Sequence, residues 1–353
     1  MIIHSLYRDY EASFTSNYVD ELKGLAHSYV VIDRHVYDLY SEKLAPLFRE
    51  NRVFLLDVME ENKTIEKALE IVDELVKLPT KRNTVLIAIG GGITQDVCCF
   101  VASVLYRGIE WYFVPTTLLA QTDSCIGSKS SINYGTFKNL LGTFYPPSAI
   151  RIDPAFLHTL TRRDYLSGLG EIFKVAIMRG KEDFYAIRER LEALLNGDDA
   201  VLHQEIEKTL TFKKSVIEID EFDRDYRNIM NYGHTFGHAL EAESAFAIPH
   251  GQGVSIGLMI SNEISLHRGL IQEAYRNDMR DTMRQIIQPE IIPAGLLRGQ
   301  TLLPAMRKDK KFLGQMHTCI LVDEQCAQKY KDVTDEEICS AVQEIDHYLF
   351  KTR

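Results

Sequence analysis

From residue 28 to residue 117 short apolar runs alternate with helical patterns, and this alternation constrains the fold more than any other feature. SYVVID (28–33), RVFLLDV (52–58), TVLIAIGGG (84–92) and EWYFVPTT read as strands; VYDLYSEKLAPLF, TIEKALEIVDELVKL and VCCFVASVLY read as the helices between them. Such alternation predicts an open parallel α/β sheet. YPPSAIRIDP (145–154), with three prolines, breaks the pattern. Beyond it the periodicity is helical, over 163–179, 182–195, 200–218, 226–244, 252–268, 270–286 and 334–350. A chain of 353 residues suits one large or two ordinary domains. The expectation is an α/β nucleotide-binding domain over 1–150 and an all-α domain over 151–353, with the natural site in a cleft between them.

Charge narrows the function. A net charge of −10 and a pI near 5.6 argue against nucleic acid and anionic membrane surfaces as partners. A phosphorylated substrate would then need positive charge concentrated locally. The six cysteines include no CxxC and read as free thiols. MIIHSLYRDYEASF has no basic segment followed by an apolar run, and no stretch of 18 apolar residues occurs. The expectation is a cytoplasmic protein.

IAIGGGITQD places three glycines between a buried strand and a helix. There backbone can approach a pyrophosphate and the helix N-terminus favours its charge; a tight strand–helix turn alone would also use glycines. Asp96, at the start of that helix, reads as a cap or a ligand contact. In VPTTLLAQTDSCIGSKSSINYGTFKNLLGTFYPP (114–147), Thr116, Thr117, Asp123, Lys129, Asn133, Lys138 and Asn139 stand among small residues. Lysine and asparagine in such a loop suit phosphate and hydroxyl groups, although a solvated loop has the same composition.

RNIMNYGHTFGHALEAE (227–243) sets Arg227, Asn231, His234 and His238 at offsets 0, 4, 7 and 11, one face of a continuous α-helix. Buried together among apolar residues, they need something to hold; a core histidine with one hydrogen bond is the plain alternative. Glu171 and Lys174 share a face of the apolar SGLGEIFKVAIM, and His250 precedes a glycine-flanked apolar helix. If they converge, Glu171, His234 and His250 form a Glu/His/His set with an open coordination position, the pattern of a catalytic zinc site.

GGGITQDV, LYRG, VPTTLLAQTDSCIG-K, KNLLGTFYPP, SGLGEIFK, NYGHTFGHALE, PHGQGV and DKK occur in this order between about residues 30 and 315. With these motifs the chain resembles the sugar phosphate cyclases, and within them most closely the 3-dehydroquinate synthases. The resemblance implies a Rossmann-like NAD-binding domain followed by a helical zinc-binding domain, in a homodimer. It implies Glu171, His234 and His250 as zinc ligands, with cobalt also suited to them. NAD contacts would fall on Asp33, Glu60, Lys63, Gly91, Gly92, Asp96, Thr116, Thr117 and Lys138. The substrate site would take Asp123, Lys129, Asn139, Lys174, Lys213, Arg227, Asn231, His238 and a lysine of DKK, Lys310 or Lys311. Among these, Lys174, His238, Asp123 and Asn231 would be catalytic, and Arg227 with Lys213 would meet a substrate carboxylate. Arg107 would reach the neighbouring subunit's site. The implied reaction turns 3-deoxy-arabino-heptulosonate 7-phosphate into 3-dehydroquinate and phosphate, a step of aromatic amino acid biosynthesis, through transient oxidation by NAD, phosphate elimination, re-reduction and aldol closure.

The sequence departs from the family pattern at GSKS (127–130), where GGKT is usual, at Asp225–Tyr226, where Gly-Leu is usual, and at SGLGE in place of SGLAE. Ser128 thus replaces a glycine beside Lys129. The alternatives are a sister cyclase acting on glucose 6-phosphate or sedoheptulose 7-phosphate, and a metal-dependent polyol dehydrogenase.

Overall fold

The computed structural model describes residues 1–79, 82–135, 137–308 and 316–350. The chain forms two compact units: Met1–Thr159 with Lys213–Phe222, and Leu160–Phe212 with Asp223–Arg353.

In the first unit the four expected strands become neighbours in one sheet. β1 (Ile2–Ile3), β2 (Tyr10–Phe14), β3 (Ser28–Asp33), β4 (Arg52–Leu56), β5 (Val85–Gly90), β6 (Glu110–Pro115) and β9 (Ala149–Ile152) are ordered β1-β2-β9-β6-β5-β3-β4. Only β1 pairs antiparallel. β5 is buried at every position, as an uninterrupted apolar run in a central parallel strand should be. A separate antiparallel hairpin joins β7 (Ile132–Tyr134) to β8 (Phe137–Leu141). β9 lies inside the proline-rich stretch, because AIRI is free of proline and pairs with β2 and β6 between Pro147 and Pro154.

Helices α1 (Tyr18–Lys23), α2 (Arg34–Glu50), α3 (Ile65–Val76) and α4 (Gly92–Val104) connect the strands. Val30, Ile32, Ile87, Ile89 and Val114 of the sheet form a core with Leu44 and Leu47 of α2. Parallel register brings the carboxyl ends of β4, β3, β5 and β6 to one edge, the edge where open α/β sheets bind ligands.

The second unit contains α5 (Arg162–Met178), α6 (Lys181–Arg188), α7 (Leu191–Leu195), most of α8 (Asp199–Ile219), α9 (His234–Glu243), α10 (His250–His267), α11 (Glu273–Ile286), α12 (Gly299–Lys308) and α13 (Asp335–Phe350). The helical expectation holds for the bulk of this unit but omits one hairpin, β10 (His317–Val322) with β11 (Ala327–Val333). HTCILV is a short β-branched apolar run and pairs as such.

α10 is buried from Gly251 to Ser265 and is the unit's central helix. Its glycines set the packing distance. A Cβ at Gly251 would stand 1.8 Å from the Ser167 carbonyl oxygen of α5, and one at Gly257 would stand 2.0 Å from the Gly233 carbonyl oxygen. Backbone therefore meets backbone on both sides of α10, next to the segments that carry the candidate ligands.

The expected continuous helix through 226–244 does not form. Tyr226–Asn231 is a 3₁₀ turn, Tyr232 is extended, and Gly233 has φ 77 before α9 begins at His234. Gly233 packs so closely that a Cβ would stand 2.8 Å from the Val254 carbonyl oxygen. The left-handed residue and this close approach end the turn. Arg227 and Asn231 thus lie on a different element from His234 and His238, and the single-helix stripe is corrected to a turn followed by a helix. Among the described residues no helix is long and apolar enough to cross a membrane.

Candidate active site

The three expected metal ligands converge. α5 contributes Glu171, the first turn of α9 contributes His234, and the first residue of α10 contributes His250. Nε2 of His234 and Nε2 of His250 each lie 3.6 Å from Glu171 Oε1. One ligand atom from each residue lies within 4.8 Å of the others.

Glu171 is 0% exposed, and neither of its oxygens has a hydrogen-bond partner among the described residues. A carboxylate in that state calls for a cation. Lys174, one turn along α5 and 1% exposed, supplies one charge through an ion pair to Oε2. Both imidazoles aim Nε2 at the other oxygen while their Nδ1 atoms are occupied, His234 by the Tyr232 carbonyl at 3.1 Å and His250 by Glu241 Oε1 at 2.8 Å. This is the outer support that orients metal-bound imidazoles, and the donor set fits a divalent ion of the zinc kind.

Electrostatics agree with that fit. Burial disfavours ionisation of Glu171, but Lys174 and the two imidazoles outweigh it and hold the carboxyl well below its usual range. Burial, reinforced by the Lys174 ammonium, keeps His234 far below the ordinary imidazole value and therefore neutral. Burial also works against protonation of His250, yet Glu241 and Glu171 push it up to about 10. Two carboxylates flanking His250 thus attract positive charge to this point.

Glu241 was legible but not read. It stands at offset 7 from His234, on the same helical face, and should have joined the stripe. His238 is exposed on α9, with its ring centroid 5.4 Å from that of His234 and 5.9 Å from that of His250. Arg227 is 5% exposed on its 3₁₀ turn. In that turn the Asn231 amide donates to the Asn228 carbonyl at 3.0 Å. Lys329 of β11 braces the turn, donating to Asn228 Oδ1 at 3.0 Å.

The first unit gathers the expected nucleotide contacts. Asp33 ends β3, Gly91 and Gly92 follow β5, Thr116 and Thr117 follow β6, and Glu60 and Lys63 follow β4. Gly91 precedes α4, whose first residue is Gly92, so backbone N–H groups and a helix N-terminus meet at the sheet edge. The buried hydroxyls of Thr94 and Thr116 lack a hydrogen-bond partner beside this turn. A Cβ at Gly90 would strike Thr94 Oγ1 at 2.3 Å. A glycine turn leading into a helix N-terminus at the sheet edge fits a dinucleotide phosphate. Asp33 caps α2, accepting from the His35 N–H at 2.9 Å.

Lys63, Asp96, Asn139, Glu60 and Lys138 form one network through Asn133, which accepts from the Asn139 N–H at 2.9 Å and donates to Glu60 Oε1 at 2.9 Å. Lys63 Nζ is 2.5 Å from Asp96 Oδ2 and 2.8 Å from Asn139 Oδ1, and Lys138 Nζ is 3.2 Å from Glu60 Oε1. Asn139, expected at the substrate, accepts from Lys63, one of the residues expected at the nucleotide. Lys213 is held by Asp123, Nζ 3.0 Å from Oδ1. Lys129 is exposed. Arg107 is exposed on a turn where Tyr106, Arg107 and Gly108 all have positive φ, at 51, 68 and 122. Lys310 and Lys311 lie outside the described residues.

Most of the chain matches 3-dehydroquinate synthases. The 3-dehydroquinate synthase N-terminal family profile matches residues 53–167, and the C-terminal profile matches 168–312. The 3-dehydroquinate synthase of Clostridium tetani is 34% identical, covering 92% of this chain and 87% of that protein. The enzyme of the same name from Dictyoglomus thermophilum is 33% identical, covering 95% and 93%. Among solved structures, 2-epi-5-epi-valiolone synthase from Streptomyces hygroscopicus, with NAD+ and Zn2+ bound, superposes with a TM-score of 0.88 at 26% identity over 98% of this chain and 99% of that one. A 2-deoxy-scyllo-inosose synthase complexed with carbaglucose-6-phosphate, NAD+ and Co2+ shares the fold, with a TM-score of 0.87 at 24% identity over 98% and 99%. With its Glu/His/His cluster on the helical unit and its glycine turn on the sheet edge, the chain belongs to the 3-dehydroquinate synthase family.

Proposed function

We propose that the chain converts 3-deoxy-arabino-heptulosonate 7-phosphate to 3-dehydroquinate and inorganic phosphate, using NAD and a divalent metal. The observation that carries this reading is the buried Glu171 carboxylate, ion-paired to Lys174 through one oxygen and faced by His234 and His250 at the other. Glu171, His234 and His250 would hold zinc, which polarises a substrate hydroxyl and lowers its pKa. Gly91, Gly92, Thr116 and Thr117 would cradle NAD, which takes a hydride from the substrate and returns it within one turnover.

The chain's own residues supply the remaining chemistry. Lys174 places a buried ammonium beside the cluster, where it stabilises negative charge on a substrate oxygen. His238 is exposed beside both ligand imidazoles and can accept or return a proton at its ring nitrogen. Arg227 offers a buried planar fork, which a carboxylate meets with two hydrogen bonds. Lys213, aligned by Asp123, adds a second positive charge for that carboxylate. Lys129 would take the phosphate. Arg107 would do so from the partner subunit of a homodimer; its strained, exposed turn supports that role. We place the enzyme in the cytoplasm, where its free thiols remain reduced.

A sister cyclase is the second reading, favoured by the high TM-scores to two such enzymes. Their identities of 26% and 24% fall below the 34% shared with a 3-dehydroquinate synthase. Glucose 6-phosphate and sedoheptulose 7-phosphate carry no carboxylate for Arg227. Turnover of the three sugar phosphates, compared at equal concentration, tests the choice. The heptulosonate should be preferred at least tenfold, about 1.4 kcal/mol. Preference for either sugar phosphate that lacks a carboxylate would transfer the chain to the sister-cyclase reading.

A further inference from the structure

The turn after α8 carries Glu221 and Phe222, and each grips one side of the ladder that bears Lys129. The segment Ser128–Ser130 runs antiparallel to Thr143–Tyr145. The Tyr145 N–H donates to the Ser128 carbonyl at 2.7 Å, the Ser130 N–H donates to the Thr143 carbonyl at 2.9 Å, and Lys129 forms a β-bridge with Phe144. On one side the Ser128 hydroxyl donates to Glu221 Oε1 at 3.1 Å. On the other, Phe144 meets Phe222 edge-on, with ring centroids 5.1 Å apart. Lys129 lies between these two grips, its Nζ 5.9 Å from the Phe144 ring centroid.

Ser128 is an uncommon choice for this position. Its φ is 64, a region that favours glycine, and it is 4% exposed. The strain persists because the hydroxyl reaches a buried carboxylate. Glu221, 7% exposed, also accepts from Ser5 Oγ at 2.7 Å and from the Leu6 N–H at 2.7 Å. Three donors from two segments converge on one carboxylate and leave it little freedom to turn. Glycine at 128 would satisfy the backbone but lose this link.

We propose that the Glu221–Phe222 turn is a positioning clamp that acts through Ser128 and Phe144 to fix the direction in which Lys129 presents its ammonium to the substrate phosphate. The clamp rests on the reading of Lys129 as a phosphate-binding residue. Its gain is preorganisation: a long lysine side chain rooted on a fixed backbone loses less freedom when it binds. Ser128 and Glu221 are positioning residues, and neither needs to touch the substrate.

Inorganic phosphate binding to the NAD- and zinc-loaded protein, followed by titration calorimetry, separates the clamp from the reading beneath it. Ser128→Gly suits the local backbone and should unfold no earlier than the parent chain. It should nevertheless weaken phosphate about tenfold, the scale of one charge-assisted hydrogen bond. Glu221→Ala should weaken phosphate similarly, and the double variant should be no worse than either single one. Lys129→Ala sets the level at which the anchor is lost. If Lys129→Ala weakens phosphate while Ser128→Gly binds it like the parent, the clamp is wrong and Lys129 remains the anchor. Additive losses in the double variant would also overturn the clamp. If the parent chain binds no phosphate, or Lys129→Ala binds it unchanged, the Lys129 reading fails and the clamp falls with it.

Discussion

Glu241 Oε1 accepts from His250 Nδ1 at 2.8 Å, and the opposite nitrogen of the same ring faces Glu171. One carboxylate thus aims the imidazole at another. Loss of such outer support costs a metal site roughly 10–100-fold in affinity. Glu241→Gln should therefore weaken zinc by that factor in a chelator competition, with the fold intact. His250→Ala should lose the metal altogether by elemental analysis. Full occupancy in His250→Ala would remove this residue from the ligand set.

The close approach of α5 to α10 makes a second prediction. A methyl group at Gly251 meets the Ser167 carbonyl oxygen at 1.8 Å, so one backbone must move. Overpacking of this kind costs about 1–3 kcal/mol. Gly251→Ala should lower unfolding stability by that amount in urea and, because His250 is its neighbour, also loosen the metal. A variant with unchanged stability and zinc affinity would show that the contact is softer than the geometry indicates.

Arg227 is the residue on which the choice of substrate turns. Arg227→Lys keeps the charge but loses the fork. The expected loss is roughly 1.5–3 kcal/mol, at least tenfold in kcat/KM, and only for a substrate with a carboxylate. Steady-state kinetics on the heptulosonate would show it; an unchanged kcat/KM would separate Arg227 from the carboxylate.

The proposed reach of Arg107 into a partner's site predicts complementation. Arg107→Ala and Lys174→Ala variants should each be inactive. Mixed under conditions where subunits exchange, they should regain part of the activity through hybrid dimers. A fully active monomer in light scattering would contradict the role of Arg107.

Much of this was legible in the chain because the signals were local. SYVVID and VLIAIG announce buried parallel strands, and the glycines after β5 announce a backbone that must approach something closely. The candidate ligands Glu171, His234 and His250 were readable as residue types that apolar helices do not bury without cause. What escaped depends on tertiary context. Gly233 reads as one more small residue in a helical pattern, and only its contact with Val254 shows why the helix must break there. β1, β2 and β9 join the sheet through pairing partners distant in sequence. Glu221 lies 93 residues from Ser128, and no local pattern links them.

The proposed redox cycle closes on itself while phosphate leaves. The direct measurement follows inorganic phosphate and NADH together as the zinc-loaded protein acts on 3-deoxy-arabino-heptulosonate 7-phosphate with NAD present in catalytic amount. The account predicts phosphate released in many-fold excess over NAD, 3-dehydroquinate as the product, and no net NADH. Accumulation of NADH in step with substrate consumed, or no phosphate release from this substrate, would contradict it.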